Sequence, residues 1–362
     1  MLYRAIGLMS GSSLDGLDIA YVELHESGGK WTYEIQEAAC YPYPQDWVNR
    51  LRDAVKLSAF DYQLLHSEYG HYLGHAVNRF IEEYDLHFKV ALISSHGHTT
   101  FHVPARGMTA QLGDGAALAA ETQLPVVTDL RAMDVALGGQ GAPIVPVGER
   151  LLLGSYDYFL NLGGIANLSA NRDPYIAFDC CPANRVLNLL SQLTGQEYDA
   201  GGALAATGHT DQPLLQKLND LPFYQQPWPR SLANDFGTDI VFPLICEAKL
   251  AVADALCTYT EHIARQISRS VAALQTGESA TRKLLVTGGG AFNTFLVQRI
   301  STLLQPLNVE VVLPEPRLIE YKEALIMALA GVLRWREDNN VFASVTGAGR
   351  DSVGGALWIG KS

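Results

Sequence analysis

The chain has 362 residues, 48% of them apolar, and a net charge of −12. That apolar share supports sizeable cores and excludes a disordered protein. The acidic balance argues against nucleic acid or an anionic membrane as a partner, but not against a nucleotide met by main-chain donors and a metal. No apolar run reaches the roughly 18 residues of a membrane-spanning helix. The start, Met1-Leu2-Tyr3-Arg4, enters a strand directly without a charged segment and apolar core. Five scattered cysteines, two of them the adjacent Cys180 and Cys181, make a poor disulfide or zinc pattern. A reduced, cytoplasmic protein of about two domains is expected.

Apolar runs at residues 3–8 and 17–24 predict two strands joined by a loop. The loop holds Gly11, Ser12, Ser13, Leu14, Asp15 and Gly16, with Leu17 and Asp18 opening the second strand. Small residues let main-chain N–H groups approach an anion closely. Asp15 and Asp18 supply carboxylates of the kind that hold a phosphate-bound Mg²⁺. The competing reading is a plain polar hairpin. Apolar residues from Phe60 to Tyr84 recur at helical spacing, and residues 88–94 predict a buried strand ending at Ser95-His96-Gly97-His98. A short strand at 110–113, a helix at 116–122 and a strand at 125–130 follow. The breaker-rich stretch 138–146, Gly-Gly-Gln-Gly-Ala-Pro-Ile-Val-Pro, marks the expected domain boundary.

A similar pattern then restarts. A strand at 156–162 runs into Gly163-Gly164-Ile165-Ala166-Asn167 and a further strand, and a strand at 175–178 ends on Asp179. Helices are predicted at 182–193 and 251–274, a strand at 284–286, and then the turn Thr287-Gly288-Gly289-Gly290-Ala291-Phe292-Asn293. A further helix, a strand at 309–313, a helix at 323–335 and loops with a short strand over 346–360 complete the chain. Alternating strands and helices give an α/β architecture. Glycine turns after strands in both halves point to a duplicated plan.

Three such turns suit a polyphosphate beyond the carboxyl ends of the strands. Each also reads as a plain tight turn. Neither a P-loop nor a Gly-x-Gly-x-x-Gly fingerprint is present. Asp179 at a strand end is a candidate base, or a helix N-cap for the segment after it. His96, His98 and His102 are spaced as hydrogen-bonding ligands to a polar substrate, or as zinc ligands with Asp114 or Asp129. Arg131 and Asp134 pair with each other or contact substrate. Glu323, read as opening a helix after Lys322, orients a hydroxyl or complements the helix dipole.

The combination resembles the anhydro-N-acetylmuramic acid kinase family, within the sugar kinase, Hsp70 and actin superfamily. The resemblance is carried by residues 7–18, Gly-Leu-Met-Ser-Gly-Ser-Ser-Leu-Asp-Gly-Leu-Asp, by Ser95-His-Gly-His98, Gln111-Leu-Gly-Asp114, Asp129-Leu-Arg131 with Asp134, and Gly138-Gly-Gln-Gly-Ala-Pro143. Asn161-Leu-Gly-Gly-Ile-Ala-Asn167, Phe178-Asp179, Gly288-Gly-Gly-Ala-Phe-Asn293 and Lys322-Glu-Ala324 continue it, in the family's order. It implies an α/β fold of two duplicated ribonuclease-H-like (actin-like ATPase) domains around a central nucleotide cleft. The expected division is 1–135, with a C-terminal helix as its candidate completion, and 136–362.

The resemblance also implies an activity. Water attacks the anomeric carbon of 1,6-anhydro-N-acetylmuramic acid, the internal bridge opens, and O6 takes the γ-phosphoryl group of ATP. The products are N-acetylmuramic acid 6-phosphate and ADP. By its place in the motif Asp179 is the base for the water. The 11–18 loop, with Gly163, Gly164, Gly288, Gly289, Gly290 and Asn293, is implied to hold ATP and Mg²⁺. His96, His98, Arg131, Asp134 and Glu323 are the candidate sugar ligands, with Arg131 suited to the lactyl carboxylate. A homodimer is expected from the family alone. The alternative is a non-catalytic ATP-binding switch of the same superfamily. The chain departs from the family pattern at Cys180, Cys181 and Ala183 after the base, at Gly115, and at Phe292.

Overall fold

The computed structural model describes residues 1–11, 14–226, 230–232, 235–275 and 280–360. The chain divides into two compact units, residues 1–154 with 321–362, and residues 155–320. The boundary expected at 135/136 is therefore displaced to 154/155. The breaker stretch 138–146 does not separate units because buried Asp134 ties it to its own unit, accepting Gly141 N at 2.6 Å and Thr346 Oγ1 at 2.6 Å. The second crossing, at 320/321, lies inside the helix Pro316–Trp335, where Tyr321 leaves helical angles (φ −112°, ψ 17°).

In the first unit β1 (Leu2–Ser10), β2 (Gly16–Ser27) and β3 (Lys30–Pro42) form an antiparallel meander. On the other side of β1 lie β4 (Leu92–Ser95), parallel to it, and then β7 (Val126–Thr128), parallel to β4. Strands β5 (His98–Val103) and β6 (Met108–Leu112) form a separate ribbon, and β13 (Ala356–Trp358) closes the far edge of the main sheet. One face is covered by the Ala59–Glu83 helix, whose Leu65, Tyr69, Leu73, Val77 and Phe80 share a core with Ile6, Leu8, Ile19 and Ile93.

Residues 321–335 of the long helix pack on the same unit. A Cβ on Gly7 would lie 1.8 Å from Ala324 O and 2.8 Å from Ala328 N, and one on Gly331 would lie 2.4 Å from Ser94 Cβ. This helix also carries Lys322, whose Nζ meets Glu149 at 3.0 Å with both side chains buried. Because Tyr321 breaks the helix, Lys322 and Glu323 open its second segment, as the sequence led us to expect.

The second unit repeats the plan. Strands β8 (Tyr158–Leu162), β9 (Ile165–Ala170) and β10 (Ile176–Pro182) form the meander, and β11 (Arg282–Thr287) and β12 (Val309–Val312) follow in parallel beside β8. The order β3-β2-β1-β4-β7 of one sheet is the order β10-β9-β8-β11-β12 of the other. The Val252–Leu274 helix supplies Leu256, Tyr259, Ile263, Ile267 and Val271 to the core. The duplicated α/β fold expected from the sequence is the fold observed. Local expectations change in several places. Strands β3 and β5 have no counterpart in the sequence reading, and the strand expected at 125–130 is Val126–Thr128. The strand expected at 88–94 is confined to Leu92–Ser95, because Phe88 takes a left-handed backbone (φ 61°). The helix expected from 182 begins at Asn184.

The contact at Gly7 generates a stability prediction. Gly7→Ala forces the helix away from β1 and lowers the unfolding free energy by about 3 kcal/mol. Gly349→Ala, whose Cβ meets nothing nearer than 3.7 Å, stays within about 0.5 kcal/mol of wild type. Urea denaturation of the three proteins compares them; equal midpoints for Gly7→Ala and wild type refute the crossing.

Candidate functional site

Residues 11–15 connect β1 and β2. Leu14 is left-handed (φ 59°), and Asp15 accepts its neighbour's N–H, Gly16 N to Oδ1, at 3.0 Å. Gly16 has no room for a side chain: a Cβ would lie 2.6 Å from Cys40 Sγ and 2.8 Å from Tyr41 O. Leu17 is buried, and Leu14 packs against the same core, so these two offer a ligand main chain only. Ser12 and Ser13 lie outside the described residues. Asp18 pairs with Met9 across the hairpin, three residues from Asp15. Among the described residues no three His, Cys, Asp or Glu side chains gather into a metal cluster. Two carboxylates without a third fit a Mg²⁺ that keeps waters and takes further oxygens from phosphates.

The turn after β4 is the first unit's counterpart of the turn after β11. Gly97 is left-handed (φ 69°), so His96 and His98 do not share a strand face. His96 Nδ1 lies 2.8 Å from Gly97 O, and Arg131 Nε donates to His96 Nε2 at 3.0 Å. A carbonyl only accepts and a guanidinium only donates, so the neutral ring carries its proton on Nδ1. Burial, assisted by the Arg131 charge, pushes His96 down to about 3. Arg131 Nη1 donates to Gly141 O at 2.6 Å, and the Glu323 carboxylate works against the lowering that burial imposes on Arg131. His96, Arg131 and Glu323 therefore form one cluster.

Asp134 does not join it. It does not pair with Arg131; it is fully buried, and Gly141 and Thr346 occupy its oxygens. His102 is exposed beside Thr109 Oγ1 at 3.0 Å, while His98 Nδ1 lies 3.3 Å from Ser10 Oγ. The three histidines thus have separate partners, and the zinc arrangement does not form.

In the second unit Asp179 sits at a bulge of β10 opposite Asn167. Asn167 Nδ2 donates to Oδ1, while Leu232 N (2.7 Å) and Ser231 Oγ (3.2 Å) donate to Oδ2. The backbone N–H of Asp179 donates to Arg230 O at 2.9 Å. Asp179 is therefore no N-cap: the helix after it starts at Asn184, with Ala183 as an N-cap that makes no side-chain bond. Cys180 and Cys181 are fully buried in the core, and burial raises both thiols, Cys180 to about 12. They stay protonated and serve as packing.

The glycine turns differ in what they require. Gly288 is left-handed (φ 81°), and a Cβ there would lie 2.3 Å from Asn161 Oδ1; one on Gly290 would lie 2.7 Å from Leu162 Cβ. Gly289 is exposed, and its Cβ would meet nothing nearer than Asn184 Nδ2 at 3.9 Å. Gly163 and Gly164 also have room for a Cβ, and their carbonyls accept the N–H groups of Asn184 (3.1 Å) and Ala183 (2.8 Å). Asn293 caps the Thr294–Leu304 helix, accepting Leu296 N at 3.0 Å.

Gly289, Gly290 and Asn293 line a cavity of about 380 Å³ within this unit. Asn184, Asn188, Tyr198, Asp199 and Phe292 complete most of its wall. This size suits a small-molecule ligand. Sequence reasoning missed Asn188, Tyr198 and Asp199, which lie on a helix face and an irregular segment without a motif.

A family model described as anhydro-N-acetylmuramic acid kinase matches residues 3–360. The protein of that name from Francisella tularensis subsp. novicida is 35% identical, over 95% of this chain and 95% of its own. That from Salinibacter ruber is 34% identical, over 98% of this chain and 96% of its own. Among solved structures, the activator of the 2-hydroxyisocaproyl-CoA dehydratase from Clostridium difficile aligns over 92% of this chain and 96% of its own, at 12% identity and a TM-score of 0.44. So distant a likeness adds nothing to the strand order already described.

The buried histidines set an acid limit. His96, and His262 in the second unit, are each held by burial near 3 against an ordinary 6.5. Above pH 6.5 both folded and unfolded rings are neutral and nothing is lost. Between 6.5 and 3 the unfolded chain binds protons that the folded chain refuses, so stability falls as pH falls, and it levels off below 3. At pH 5 each ring costs about 2 kcal/mol. The fall in urea midpoint from pH 7 to pH 5 is therefore smaller in His96→Gln and in His262→Gln than in wild type; equal falls in all three refute the assignment.

Proposed function

This chain belongs to the anhydro-N-acetylmuramic acid kinase family, and we propose that it opens 1,6-anhydro-N-acetylmuramic acid with water and phosphorylates O6 at the expense of ATP. The family match over residues 3–360 carries the reading. The products are N-acetylmuramic acid 6-phosphate and ADP, a recycling step for cell-wall sugar. Five free cysteines suit a reducing cytoplasm, and no helix among the described residues is long and apolar enough to cross a membrane. A homodimer is part of the proposal on family grounds alone.

In the second unit the base is Asp179. Three donors hold its carboxylate from two directions, which fixes the group without neutralising it. It takes a proton from water as the water oxygen bonds to the anomeric carbon and the C1–O6 bond breaks. That carbon passes through an oxocarbenium-like state. O6, freed on the sugar, attacks the γ-phosphorus and ADP leaves. The cavity beside Gly289 takes the adenosine: its asparagine amides and tyrosine suit a flat heterocycle bearing donors and acceptors.

In the first unit the 11–18 loop receives phosphate oxygens on its main chain, and Asp15 and Asp18 would hold a Mg²⁺ that offsets phosphate charge. Arg131, held through Nε and Nη1, suits the lactyl carboxylate with its remaining N–H groups. Glu323 and His98 take sugar oxygens. His96 orients Arg131.

Two variants test these roles. Asp179→Asn loses at least about 10³-fold in kcat, in line with removal of a general base, and still binds ATP by calorimetry. Wild-type-like turnover by that variant refutes the role. Heavy-oxygen water reports bridge opening by label on the C1 hydroxyl; unlabelled product refutes it, and nucleotide-dependent conformational change without any sugar product favours the non-catalytic switch. Gly289→Ala keeps the wild-type melting temperature because its Cβ has room, yet raises the KM for ATP roughly tenfold by intruding on the cavity. An unchanged KM places the adenosine elsewhere.

A further inference from the structure

A chain of hydroxyl groups crosses the core of the first unit and ends on a histidine. Tyr43 Oη donates to Ser10 Oγ at 2.8 Å, Tyr43 Oη and Tyr69 Oη lie 2.6 Å apart, and Ser10 Oγ lies 3.3 Å from His98 Nδ1. All four residues are buried. They come from β1, the segment after β3, the Ala59–Glu83 helix and β5. None of these hydroxyls has a part in the chemistry described above.

Proton counting gives the chain a direction. Each hydroxyl has one proton to donate. Tyr43 gives its proton to Ser10, so Tyr69 gives its own to Tyr43. The Ser10 hydroxyl reaches both Tyr69 Oη and His98 Nδ1, the latter at 3.3 Å, and Tyr69 donates its own proton to Tyr43. Burial raises both phenols, Tyr69 to about 12 and Tyr43 further, so the chain keeps its protons at neutral pH. Burial also lowers His98, which favours the neutral ring. A neutral imidazole that accepts at Nδ1 carries its proton on Nε2. Among the described residues His98 Nε2 makes no hydrogen bond.

We infer that Ser10 and Tyr43 are positioning residues that lock His98 as an Nε2–H donor, so that it recognises an uncharged oxygen acceptor on the sugar. The inference rests on the assignment of His98 to the sugar under the proposed function. It makes His98 the opposite tautomer of His96, two residues away, whose proton is held on Nδ1 by Gly97 O. One residue type thus supplies an acceptor for Arg131 and a donor for substrate. The same Ser10 hydroxyl fixes the root of the 11–15 loop to the Ala59–Glu83 helix through two phenols. Loop and sugar donor therefore share one anchor.

The test is nitrogen NMR of protein labelled at histidine, with the His98 signals assigned by their loss in His98→Gln. Wild type is expected to show a protonated Nε2 and a bare Nδ1 on His98 without any ligand. Ser10→Ala redistributes the proton toward Nδ1 and raises the KM for the anhydro sugar about tenfold, the worth of one good hydrogen bond, with a larger effect on KM than on kcat. Ser10→Thr restores both readouts, and Tyr43→Phe, which keeps the ring's packing, falls between. A wild-type His98 protonated on Nδ1, or a tautomer unmoved in Ser10→Ala and Tyr43→Phe, overturns the lock. A moved tautomer with an unchanged KM overturns the recognition of sugar by His98. Absence of any wild-type turnover refutes the proposed function instead, and the ligand-free spectra still decide the lock.

Discussion

Parallel pairing of the fourth sheet strand against the first, made in both units, is the constraint on which the rest of the structure depends. β1 pairs with β4 from Ala5↔Leu92 to Leu8↔Ser95, and β8 with β11 from Tyr158↔Leu284 to Asn161↔Thr287. Parallel strands end at the same edge of a sheet. The turn after β1 and the turn carrying His96 must therefore emerge together, as must Gly163–Gly164 and Gly288–Gly290. Ligand-facing loops gather at such carboxyl ends without any contact having to specify them one by one. The hydrogen bond between Ser10, which ends β1, and His98, just beyond β4, is a direct consequence of that pairing.

Glycine does two separate jobs on this framework. Gly7 and Gly331 admit a helix against the sheet; Gly16 and Gly288 admit a backbone path that any side chain would block. Gly289 has space that the fold does not use. The absence of a side chain there leaves the cavity wall open, and this is the position where a steric argument separates ligand from fold. Gly163 and Gly164 lie nearer the structural class: their carbonyls cap the start of the Asn184–Gln192 helix, which takes those helix N–H groups out of reach of a phosphate.

Local pattern made much of this legible. Apolar runs located β1, β2 and β8, spacing located the Val252–Leu274 helix, and small residues after strands located the turns. Most of the failures are partnerships with distant residues; exposure at a sheet edge accounts for another. β3 alternates weakly because it is an edge strand with many half-exposed positions. The first unit takes residues 321–362 through contacts more than 150 positions away; no local signal exists for them, and only the family resemblance offered a C-terminal helix as its completion. Arg131 and Asp134 read as a pair at i,i+3, yet each found other partners: His96 for one, Gly141 and the distant Thr346 for the other. Asp179 read also as a cap; the helix start at Asn184 and the bonds from Asn167, Ser231 and Leu232 distinguish it from one.

A chain of net charge −12 that takes a polyanion must avoid repelling it. The described wall of the cavity in the second unit holds no lysine or arginine. Its one carboxylate, Asp199, is occupied by main-chain donors, with Leu204 N at 2.8 Å on Oδ1 and Ala205 N at 2.9 Å on Oδ2. Such bonds disperse the charge before a ligand arrives. In the first unit, loop amides and the buried neutral rings of His96 and His98 supply polarity, and Arg131 is the cation of its cluster. Uncharged donors held by a rigid frame cost little reorganisation and attract few competing counterions, unlike a patch of surface lysines. A net charge of −12 and the proposed anionic ligand are therefore compatible where recognition uses short-range dipoles.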